Sequence, residues 1–155
     1  MTVHNQNGKV EANSVAGMAD LETSFAAIKF TGIGKGVRVV AHNTSVTGDT
    51  VGEAVTVQTS FANVDLRAVK GGARVTAGNA AIRMAGIGGE AYAKTSFAGV
   101  TVEDAAGPVT VENANGSVTV SAKAGQACRP IAIQTSFAPV RVAVPDGLGD
   151  RKSVV

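Results

Sequence analysis

One tetrapeptide, Thr-Ser-Phe-Ala, occurs four times in this chain of 155 residues. The copies run Thr23-Ser24-Phe25-Ala26, Thr59-Ser60-Phe61-Ala62, Thr95-Ser96-Phe97-Ala98 and Thr135-Ser136-Phe137-Ala138; the first three are evenly stepped and the fourth comes slightly late. A recurring step of this size is the mark of a repeat architecture. Midway between the Phe copies stands an Asn, at Asn7, Asn43, Asn79 and Asn115, in steps of 36. The step therefore divides into two like halves, and the third position of each half alternates Asn and Phe. These half-step units begin at Asn5, Thr23, Ala41, Thr59, Ala77, Thr95, Asn113 and Thr135.

Inside each unit apolar residues fall at positions 6, 8, 11, 15 and 17, for example Ile28, Phe30, Ile33, Val37 and Val39. Apolar residues at i and i+2 are the signature of half-buried strands. Gly17, Gly34, Gly52, Gly71, Gly89 and Gly107 cluster at positions 12 to 14, which reads as a tight corner where Gly supplies positive φ. A second corner lies at positions 1 to 4. Nothing keeps helical spacing over a useful length. Val and Ala dominate the apolar 45%, aromatics are 4%, and there is no Trp; Val favours strands.

Short strands joined by two corners per unit describe an all-β, single-stranded β-solenoid of about eight coils. No unit can bury its own apolar positions, but stacking at about 4.8 Å turns each position into a column and closes a continuous core roughly 38 Å long. The shared strand pattern of the two halves favours an 18-residue turn, with Phe and Asn alternating up one column. A 36-residue turn would instead stack Phe on Phe and Asn on Asn, in separate ladders.

The seventh unit carries about four extra residues around Gly125-Gln126-Ala127-Cys128-Arg129-Pro130-Ile131, read as a loop on one face. The solenoid is expected to be one domain over 1–149, truncated at both ends because neither end carries a cap. Residues 150–155 fit no position of the repeat, match one reading frame of a sequencing-adapter oligonucleotide, and are expected to be a non-native or disordered tail.

The order Thr-Ser-Phe-Ala, then Val-x-Val, then Asn-x-Asn-Gly, then Val-x-Val resembles the bacterial adhesin-like domain of unknown function called the toastrack domain. The resemblance covers about residues 3 to 145. It is most specific at the Thr-Ser-Phe copies, at Asn5-Gln6-Asn7-Gly8-Lys9-Val10 and at Asn113-Ala114-Asn115-Gly116-Ser117-Val118. It implies a right-handed solenoid, carried on an envelope protein behind a membrane anchor that is expected to be missing from this chain. It brings no catalytic residues.

Chemistry is sparse. The net charge of +2 is too small for nucleic acid or an anionic membrane surface, and no apolar run approaches a membrane span. His4 and His42 fall at different positions of the unit with no partner at ligand spacing, so no metal or cofactor is expected. The Thr-Ser pairs have no recurring His or Lys beside them, and a hydroxyl without a base is inert; they are expected to make corner hydrogen bonds to backbone.

The outward columns mix signs. Position 7 reads Glu11, Lys29, Thr47, Asp65, Arg83, Thr101, Thr119, Arg141, a solvated face with a cross-strand pair such as Lys29 near Asp65. Clustered carboxylates for glycan cleavage are missing. The glycine runs Gly32-Ile33-Gly34-Lys35-Gly36 and Gly86-Ile87-Gly88-Gly89 open no helix and are not phosphate loops. Cys128 is expected to be a passive loop thiol or half of a disulfide.

The expected function is a non-enzymatic module of an envelope or surface protein, displaying a repeated surface to an unknown protein or glycan. Self-assembly end to end through open edges and a polysaccharide-active enzyme are the alternatives.

Overall fold

The computed structural model describes residues 1–125 and 129–145 together with the backbone of 153–154. Cys128, residues 146–149 and most of the 150–155 tail lie outside the described residues. The chain coils into a β-solenoid built from two parallel sheets, and no helix occurs among the described residues.

One sheet has nine strands, running from Thr2–Asn5 through Ala19–Thr23, Val37–Ala41, Val55–Thr59, Ala73–Ala77, Ala91–Thr95, Val109–Asn113 and Ile131–Thr135 to Ser153–Val154. The other has eight, from Val10–Asn13 through Ile28–Ile33 and its successors to Val140–Ala143. Successive strands of one sheet are related by one unit, as in Ile28↔Val46↔Val64↔Ile82. One turn of the coil is therefore one unit, the shorter of the two periods considered. The pair Val109↔Ile131 takes a longer step than its predecessors, so the inserted residues are absorbed in the connection between Val118–Ala122 and Ile131–Thr135.

The core is the set of columns anticipated from the pattern. Positions 6, 8 and 11 enter from the eight-stranded sheet and 15 and 17 from the nine-stranded one; in the second coil Ile28, Phe30, Ile33, Val37 and Val39 are all buried. Column 8 reads Ala12, Phe30, Gly48, Leu66, Met84, Val102, Val120, Val142. Its large and small members compensate: a Cβ on Gly48 would lie 2.2 Å from the Phe30 ring and 2.9 Å from a Leu66 methyl. The ring of Phe30 uses the space that Gly48 leaves.

The bends differ from the expectation. Left-handed backbone recurs at position 10, at Ser14 just past the strand Val10–Asn13 and at Gly32, Thr50, Ala68, Gly86 and Asp104 inside six-residue strands. That residue drops out of the ladder, as between Asp49↔Arg67 and Val51↔Val69. Two residues then face outward between inward positions 8 and 11, which swings the chain around the core as a bulge does. The glycines at positions 12 to 14 do not have positive φ, and most serve another purpose. The next coil's backbone passes so close that a Cβ on Gly52 would meet the Gly34 carbonyl oxygen at 2.2 Å, and one on Gly107 the Gly89 oxygen at 2.3 Å. Close approach, not handedness, excludes a side chain there; Gly17 alone of the six has open space around it.

Candidate functional site

The corner at positions 1 to 5 is where the repeated tetrapeptide sits. Its first residue points inward. Thr23, Ala41, Thr59, Ala77, Thr95 and Asn113 are all buried. Positions 1 and 4 share the corner interior, and outside the fifth coil, where both are Ala (Ala77 and Ala80), their volumes complement each other. Thr at position 1 is followed by Ala at position 4, Ala41 by the buried Thr44, and Asn5 and Asn113 by Gly8 and Gly116.

The Asn–Gly pairing has a direct cause. The amides of Asn5 and Asn113 donate to the carbonyls of Gly8 at 2.8 Å and Gly116 at 2.7 Å, closing the corner. A Cβ on Gly8 would meet the Asn5 amide nitrogen at 2.5 Å. The expected backbone bonds of the threonines form only in part. Thr95 Oγ1 donates to the Ala80 carbonyl at 3.1 Å, while the hydroxyls of Thr23, Thr59 and Thr135 are enclosed without a partner. Their main role is to fill the corner with a methyl group.

The third residue points outward. Phe25, Phe61, Phe97 and Phe137 are 66%, 65%, 64% and 86% exposed, although burial in the core is the usual fate of Phe. Asn7, Asn43, Asn79 and Asn115 are exposed between them. Backbone bonds tie this column together coil by coil: Phe25 N–H to the Gln6 carbonyl at 3.1 Å, Asn43 to Ser24 at 3.1 Å, Asn79 to Ser60 at 2.9 Å, Asn115 to Ser96 at 2.9 Å and Phe137 to Ala114 at 3.0 Å. Phe25 is thus followed by Asn43, not by Phe61, and the rings recur every second coil, about 9.6 Å apart.

The neighbouring columns are small and uncharged. Positions 2, 4 and 5 hold Ser, Ala, Gly, Thr, Asn, Gln, His42 and Pro139, and Lys9 carries the only formal charge in all eight corners. Two shallow recesses lie beside the column, each spanning both Asn and Phe levels. One is lined by His42, Gln58, Ser60 and Thr76, the other by Ser96, Glu112, Ala114, Gln134 and Ser136.

The charged residues lie on the two sheet faces instead. Asp65 pairs with Arg67 at 3.1 Å, Arg83 with Glu103 at 3.2 Å and Arg38 with Asp20 at 3.8 Å. The expected Lys29–Asp65 contact is not among the ion pairs of the described residues: Thr47 stands between them in the column, and Arg67 takes the Asp65 carboxylate. His4 Nδ1 lies 2.9 Å from Glu22 Oε2 on the exposed face.

One polar cluster was not visible in the repeat. The Tyr92 hydroxyl donates to Glu112 at 3.0 Å, Lys94 reaches the same carboxylate at 2.9 Å, and the Arg74 guanidinium lies 4.6 Å from the Tyr92 ring centre. Hydrogen bonding from Lys94 and then Tyr92 holds Glu112 below the usual carboxylate range, while burial and then the Glu112 bond push Tyr92 up. The carboxylate thereby stays ionised and the phenol protonated at neutral pH, as in a structural cross-link. Among the described residues no three His, Cys, Asp or Glu side chains come together as a metal would need.

No family model matches the chain, and no curated protein or solved structure matches it.

Proposed function

We propose that the chain is a non-enzymatic β-solenoid module that works by display, holding a repeated side-chain pattern on a rigid rod for a partner to read. The observation that carries this reading is the Phe-bearing corner. Four phenylalanines stand exposed at a regular spacing on a surface with one formal charge in eight corners. Aromatic enrichment with charge depletion is the composition of an interface core, and leaving four rings in water lowers stability with no folding gain in return. Placement of the module on a bacterial envelope or surface protein, as an adhesin-like element, rests on the resemblance of its Thr-Ser-Phe and Asn-x-Asn-Gly corners to toastrack domains.

The test is depletion of the purified chain from solution by insoluble peptidoglycan, chitin and cellulose and by intact bacterial cells, wild type against Phe61→Ser/Phe97→Ser. Loss of binding in the variant supports display through this corner. Equal binding by both proteins sinks it. Release of reducing ends that disappears in Glu11→Gln/Asp65→Asn would replace the reading with an enzyme.

A further inference from the structure

We propose that the partner read by the Phe corner is a second copy of the same chain, packed antiparallel so that the phenylalanines of one copy sit at the asparagine levels of the other; this rests on the display reading above.

The column fits itself for a reason of parity. Phenylalanines occupy the even coils, at Phe25, Phe61, Phe97 and Phe137, and asparagines the odd ones, at Asn7, Asn43, Asn79 and Asn115. A two-fold axis perpendicular to the rod and midway between neighbouring coils exchanges odd levels with even ones. Every Phe then faces an Asn. With the axis between the fourth and fifth coils all eight levels overlap: Phe61 faces the partner's Asn79, Phe97 the partner's Asn43, Phe25 the partner's Asn115 and Phe137 the partner's Asn7. The contact is isologous and closed, as two-fold interfaces are. Any other ligand must match the two-coil spacing of the rings independently, whereas a second copy has it by construction.

Two further observations agree. Lys9 is alone as a formal charge in the eight corners, so two copies meet without a buried like-charge contact. The area is sufficient: at roughly 100 to 150 Å² of open surface per ring, eight rings remove on the order of 1,000 Å² from water, the size at which specific interfaces begin.

The experiment is sedimentation equilibrium of the full chain over a wide concentration range, for wild type, Phe61→Ser/Phe97→Ser and Asn79→Lys, with circular dichroism on each to establish folding. A wild-type mass of two chains, with a dissociation constant raised at least about a hundredfold in the Phe variant and raised also by the lysine placed opposite Phe61, supports the antiparallel pair. Asn79→Lys leaves every phenylalanine in place and serves alone if the Phe variant does not fold.

A wild-type monomer at every concentration overturns the pair. If Phe-dependent binding to chitin, cellulose or peptidoglycan then persists, the display reading stands with a glycan as occupant, and if it does not, both fall. A mass that climbs past two chains and ignores the Phe substitutions overturns the pair in favour of end-to-end stacking.

Discussion

Phe30 and Phe61 are the same residue type on one rod, and they answer to opposite constraints. Phe30 is fully buried in column 8, occurs there once, and depends on a glycine in the next coil for its space. Phe61 is 65% exposed and recurs at the same corner position in every second coil. The interior tolerates variety, because Ala12, Phe30, Gly48 and Leu66 follow one another up a single column by trading volume between neighbours. The corner surface keeps one residue type although packing does not demand it. At this corner the exposed position repeats identity, whereas column 8 repeats only its inward direction.

Six substitutions and a titration test that contrast. Phe30→Ala is expected to be the most damaging, about 3–5 kcal/mol in urea unfolding, because Gly48 cannot close the resulting cavity. Survival of the midpoint would mean that column 8 is not close-packed. Gly48→Ala overfills the same space and should lose about 1–3 kcal/mol. Combined with Phe30→Val it should lose less than the sum of the two, by on the order of 1 kcal/mol; strict additivity would separate the two sites.

Thr50→Gly should stabilise by about 0.5–1 kcal/mol, because left-handed backbone costs a β-branched residue about 1–2 kcal/mol, which outweighs the extra freedom that Gly brings to the unfolded chain. Thr50 adopts that backbone at φ 55. A lowered melting temperature would rule the gain out. Phe61→Ser, measured at high dilution, should stay within about 0.5 kcal/mol of wild type; a large loss would make the exposed ring part of the fold.

The weakest effect is that of pH. Glu112 is held below its unfolded range by Lys94 and Tyr92, so its contribution is present above the unfolded carboxylate pKa and is lost as pH falls through the lower folded value. The pair is exposed enough that the change amounts to about a few tenths of a kcal/mol at most. Glu112→Gln should flatten that acidic slope in melts taken across the acidic range.

Most of the coil was readable because its constraints are periodic. Apolar residues at positions 6, 8, 11, 15 and 17 gave the inward columns, and the strand pattern shared by the two halves of the Asn step gave the turn length, which the register of Ile28 with Val46 bears out. Three things escaped. The left-handed position is held by Ser14, Thr50, Ala68 and Asp104 as well as by two glycines, so composition does not mark it; stacking enforces one backbone path on whatever residue stands there. The glycines that do stand out answer to the neighbouring coil's backbone, which a single unit cannot reveal. The outward direction of Phe25 and its copies was also hidden, because a corner residue lies outside the alternation that tells in from out. The Asn113–Gly116 closure could have been found from the recurrence of Asn-x-Asn-Gly at residues 5–8 and 113–116.

The alternation at position 3 gives the rod two different tolerances to change in length. Away from the Phe30–Gly48 contact, insertion or deletion of a single coil would keep the ladder and the inward columns in register, yet it would bring two rings or two amides to adjacent levels and put the remainder of the corner out of step. Insertion or deletion of two coils together, again away from that contact, would leave both intact. Backbone assembly thus counts single coils while the surface counts pairs, and the heritable module of this protein is the two-coil segment, twice as long as the segment that folding requires.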